Sequence, residues 1–117
     1  EGPMSLYYVD RTHPITTDAG NFDLDDEIYY DFDLDPNIRV LAGAYTPNTA
    51  SAKKNDARGL PQQGKVTVYD IAPQMWTFEN QREGGKPYRA FVSIPGHRHA
   101  TFELPHYRAV LLRGIAW

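Results

Sequence analysis

The chain has 117 residues, 41% of them hydrophobic and 13% aromatic, with a net charge of −3 and a pI near 5.7. That length fits one domain, and the acidic balance argues against duplex nucleic acid, which calls for a clustered basic face. The absence of cysteine excludes disulfides, thiolate metal ligands and a cysteine nucleophile, and no apolar run approaches the roughly 20 residues of a membrane-spanning helix.

In chain order, Glu1-Gly2-Pro3-Met4 reads as a tag remnant over residues 1–3, ahead of a single β-rich domain over 4–117. No apolar signal segment follows, which points to cytoplasmic synthesis. Nine glycines and nine prolines are spread through the chain, and apolar positions recur mostly at spacing two. Strands are predicted over 6–9, 28–34, 38–45, 65–71, 75–80, 88–94, 99–104 and 108–115. Turn chemistry separates them at Asp18-Ala19-Gly20, Asp35-Pro36-Asn37, Glu83-Gly84-Gly85-Lys86-Pro87 and Pro95-Gly96. Eight short strands predict an all-β, antiparallel β-sandwich or jelly roll, its last strands a meander.

The first chemically notable segment is acidic: Asp23, Asp25, Asp26, Glu27, Asp31, Asp33 and Asp35 crowd into thirteen positions. On a strand, Asp31, Asp33 and Asp35 would share one face about 6.5–7 Å apart, and like charges there call for a cation or a basic surface. Calcium is one candidate for the Asp23–Asp35 stretch. The stretch is not an EF-hand loop, because Pro36 and Ala42 stand where glycine and glutamate are needed. The other readings are a solvated edge that discourages unwanted strand pairing and a docking face for Lys53, Lys54 and Arg58. These lie in a predicted long exposed loop over 46–64, with a short helix over 50–58. Tyr29 and Tyr30 would face opposite ways on a strand, so Tyr29 joins Asp31, Asp33, Asp35 and the basic loop as an interaction surface.

Farther along, His97, His99, Thr101 and Glu103 would occupy one face of the predicted 99–104 strand, with Ala100, Phe102 and Leu104 on the other. Two imidazoles and a carboxylate suit zinc, iron or manganese. The spacing His-x-His-x-x-x-Glu resembles the core of the first cupin motif, which implies a divalent metal held by His97, His99 and Glu103 inside a small β-barrel. Phe91 and Val110 stand where that motif carries glycines, and His106 or His13 would have to complete the site. Otherwise the histidines form the polar outer face of a half-buried strand.

No phosphate-binding glycine loop and no nucleophile elbow occurs. The sequence therefore predicts a non-catalytic binding or assembly module without a cofactor. A small structural subunit of a virion, self-associating or bound to a protein partner, is the reading it favours. A cupin-like metal protein is the alternative, and a carbohydrate-binding module with exposed aromatic residues the second. Neither nucleic acid nor a membrane is expected as partner.

Overall fold

A computed structural model describes residues 2–47 and 69–117. Five strands, β1 (Gly2–Tyr8), β2 (Phe22–Asp26), β3 (Arg39–Pro47), β4 (Tyr69–Gln81) and β5 (Pro87–Ser93), form one antiparallel sheet. Their order is β2-β1-β3-β4-β5, and the sheet curls into a half-barrel. A 3₁₀ helix (His99–Glu103) and α1 (Pro105–Ala116) follow.

Alternation builds the inner face. In β1, Met4, Leu6 and Tyr8 are buried while Ser5 is exposed, and in β2 Leu24 and Asp26 are buried between exposed Asp23 and Asp25. The register sets Met4 opposite Leu24 and Leu6 opposite Phe22 inside, and Ser5 opposite Asp23 outside, where the serine hydroxyl donates to the carboxylate at 2.6 Å. Leu41 and Ala44 of the central strand β3 and Met75 of β4 join the same core. Pro73 falls in the half of β4 that β5 does not reach, in keeping with a residue that cannot donate to a ladder.

The inner face is closed by α1 rather than by a second sheet. Tyr107 and Val110 are buried against it, with Leu104, Leu111 and Trp117 half-buried beside them. Burying a side chain the size of Leu6 or Leu41 is worth about 2–5 kcal/mol against alanine, so these contacts dominate the fold's stability.

Several expectations are corrected here. The 99–104 segment is a 3₁₀ helix and 108–115 lies within α1. Pro105 opens that helix at its first turn, and Tyr107, Val110, Leu111 and Gly114 recur at helical spacing, which outweighs the short apolar alternation. The 28–34 segment is irregular and forms no strand among the described residues. The 75–80 strand and the described part of 65–71 merge into the single long β4, whereas β2 was not anticipated. Eight strands in a sandwich or jelly roll thus become, among the described residues, five strands in one sheet backed by a helix. The predicted 46–64 loop, its 50–58 helix and Lys53, Lys54 and Arg58 lie largely or wholly outside the described residues.

Candidate functional site

Where β2 ends, the chain must turn with a carboxylate on its inner face. Asp26 has 1% of its surface exposed, and a buried charge of that kind is tolerated only when its acceptor sites are filled. They are filled chiefly from the loop after β5. The backbone N–H groups of Gly96, His97 and Arg98 donate to Asp26 at 2.9, 3.2 and 3.4 Å, the Thr101 hydroxyl donates as well, and the Glu27 N–H donates at 2.7 Å. Burial pushes the Asp26 carboxyl up, but the Thr101 hydroxyl and the N–H groups of Glu27, Gly96 and Arg98 outweigh it and hold the group below the ordinary carboxylate range.

The same loop is held from the other side. The Tyr107 hydroxyl of α1 donates to the Pro95 carbonyl and lies 3.0 Å from the Ser93 hydroxyl, while the Ile94 N–H donates to the Gln74 carbonyl at 2.9 Å. Gly96 has φ of +137°, a conformation open to glycine, and a Cβ there would meet the Phe102 ring at 2.7 Å. Arg98 adds an ion pair to Asp25 at 2.5 Å.

This clamping delivers His97 to Glu27. The imidazole Nδ1 lies 3.6 Å from Glu27 Oε2, and the Tyr29 hydroxyl donates to that same oxygen at 2.5 Å. Tyr29 is steadied by buried Gln74, whose side-chain amide donates to its carbonyl at 2.8 Å. The His97 and Glu27 side chains are 53% and 26% exposed, so a solute can reach them. An imidazole is the side chain whose ordinary titration spans neutral pH, and a neighbouring carboxylate can orient it for proton transfer. The 3.6 Å separation is an ion-pair distance that a small adjustment would shorten to a hydrogen bond.

The residues singled out in the sequence are distributed differently. His99 pairs with Glu103 at 3.7 Å on the exposed 3₁₀ helix, away from the strand face that would have aligned it with His97. Among the described residues no group of three or more His, Asp or Glu side chains gathers to hold a metal, neither His97, His99 and Glu103 nor the acidic stretch. The acidic residues are engaged one by one: Asp23 by Ser5, Asp25 by Arg98, Asp26 by the 96–101 loop, and Asp35 by the Asn37 amide groups. Asp31, Asp33 and Asp35 lie on the irregular segment after Tyr29, not on one face of a strand. His106 stacks on Phe22 with ring centres 5.9 Å apart, and His13 is buried against Trp117, so neither joins His97.

Sequence reasoning missed Gln74, and it placed Asp26 and Glu27 only within the acidic stretch, without a role of their own. A signal existed for Asp26: alternation along Phe22-Asp23-Leu24-Asp25-Asp26 puts it on the face of Phe22 and Leu24, and so marks a carboxylate aimed at the core.

A family model described as ThuA, trehalose utilisation, matches residues 2–117. No curated protein and no solved structure matches the chain. The family match overturns the expectation of a structural virion subunit and the assembly role attached to it, because a trehalose-utilisation family covers nearly the whole chain.

Proposed function

Because the chain belongs to the ThuA trehalose-utilisation family, we propose that it acts on a saccharide in the use of trehalose, with His97 as the proton-transferring group. Glu27 orients the imidazole, and Tyr29 holds the carboxylate oxygen that faces it. The observation that carries this reading is the shared oxygen: Glu27 Oε2 lies 3.6 Å from His97 Nδ1 and accepts the Tyr29 hydroxyl at 2.5 Å. Saccharide chemistry needs a group that takes or gives a hydroxyl proton near neutral pH, which an oriented imidazole supplies.

Positioned acid–base groups contribute about 10²–10⁴ in rate. In the protein carrying this chain, turnover of trehalose or of the sugars released from it, followed by NMR, is expected to fall by about 100-fold or more in His97→Asn. Glu27→Gln should lower it less. Undiminished turnover in His97→Asn would remove His97 from the reaction.

A further inference from the structure

A cavity of about 200 Å³ opens between the irregular segment after Tyr29 and the start of β4, walled by Tyr30, Asp31, Phe32, Thr46, Asp70 and Pro73 among others. We propose that this cavity is a binding subsite for one sugar ring, with Tyr30 and Phe32 against its C–H face and Asp31 and Asp70 accepting its hydroxyls. The inference rests on the saccharide reading above and adds where the sugar is gripped.

Size comes first. The cavity is smaller than the roughly 300–1,000 Å³ of sites for drug-sized ligands, so it suits a single-ring compound. Its chemistry narrows the class further. The charged side chains among the described lining residues are the carboxylates of Asp31 and Asp70. Two carboxylates beside aromatic rings fit a molecule that presents hydroxyl donors at its edge and C–H groups on its faces, since a carboxylate is acceptor-only and an aromatic face is apolar.

The walls are also held in place. Phe32 meets Trp76 edge-on with ring centres 5.8 Å apart, and Trp76 is itself buried in β4. Gln74, next to Pro73 of the cavity wall, fixes the Tyr29 carbonyl just before Tyr30. Asp31 holds a left-handed φ of 59°, a conformation that aspartate adopts more readily than most residues. The segment that carries Glu27 and Tyr29 thus continues directly into this wall, so the His97 centre and the subsite share one stretch of chain.

The test is a titration of the protein with glucose, trehalose and 1,4-diaminobutane, read by saturation-transfer NMR and tryptophan fluorescence. Because hydrogen bonds to a charged acceptor are stronger than those to an amide, Asp31→Asn/Asp70→Asn is expected to weaken glucose binding about tenfold or more. Phe32→Ala, checked for native circular dichroism, is expected to weaken it too. Equal glucose affinity in wild type and both cavity variants overturns the subsite, as does absence of glucose binding or preference for the diamine. The two readings separate cleanly. Turnover lost in His97→Asn with cavity variants binding normally removes only the subsite, and full turnover in His97→Asn with weakened cavity variants removes only the catalytic role of His97.

Discussion

Asp26 accepts hydrogen bonds from residues about seventy positions away in the chain, the His97 backbone N–H among them, and so sets where the His97 imidazole is carried. Turning its carboxylate into an amide would face N–H donors with an N–H₂ donor. Asp26→Asn is therefore expected to lose about 3 kcal/mol of stability, measured by urea denaturation at neutral pH. The pH dependence has a definite sign. With its folded pKa held below the ordinary carboxylate value, Asp26 contributes stability that is fully present above about pH 3.9 and is lost as pH falls through the folded value. Wild type should weaken on that acid limb, and Asp26→Asn should show a shallower one; identical limbs would mean that other carboxylates carry the effect. Nothing in the residue types near position 26 distinguishes it from Asp25. Only the alternation of β2 does, and the acidic composition of that strand concealed it.

At the level of elements, α1 is the piece on which the fold depends for its second layer. It comes close to the sheet at Gly114, where an added Cβ would lie 2.1 Å from Cδ1 and 2.3 Å from Cε1 of Phe91 in β5. Alanine raises intrinsic helix propensity by about 1 kcal/mol over glycine, but overpacking at a contact of this kind costs about 1–3 kcal/mol. The contact wins, and Gly114→Ala is expected to lower the thermal midpoint by several degrees. A raised midpoint would show that Phe91 moves aside freely. The helix was legible in Pro105 and in the spacing of Tyr107, Val110, Leu111 and Gly114. Four consecutive apolar residues, Ala109 to Leu112, also satisfy a strand, and periodicity over so short a run cannot separate the two.

Across the whole molecule, residues from three distant parts of the chain meet at Trp117. Its ring packs edge-on against His13 at 5.0 Å, and the Arg89 guanidinium lies 4.5 Å from the ring centre. His13 is 3% exposed, and its Nδ1 accepts the Ile15 N–H at 3.2 Å, so the ring is neutral at that nitrogen. Burial pushes the His13 pKa down, and the nearby Arg39 charge pushes the same way. Because the folded value lies below the unfolded one, the stability His13 provides is complete above about pH 6.5 and is lost as pH falls from there through the folded value. Denaturant midpoints of wild type should therefore decline between pH 7 and pH 5, and His13→Asn, which keeps an acceptor but cannot charge, should flatten that decline. An unchanged slope in the variant would assign it to another group.

By itself, the sequence determined the β character of the chain, most of the strands now seen as β3 and β5 with the end of β1, and the hairpin turn at Gly84-Gly85. Each of these follows from the two-residue repeat of a strand or from the backbone freedom of glycine, which are properties of a few adjacent residues. Tertiary structure alone decided that His97 faces Glu27 instead of joining His99 and Glu103, that Asp26 anchors the loop beneath it, and that a helix instead of a second sheet closes the core. The physical reason is common to all three. Alternation says which face of an element is apolar, but which elements share a core depends on contacts between residues far apart in the chain, and a buried carboxylate acquires its donors only when those segments have already met.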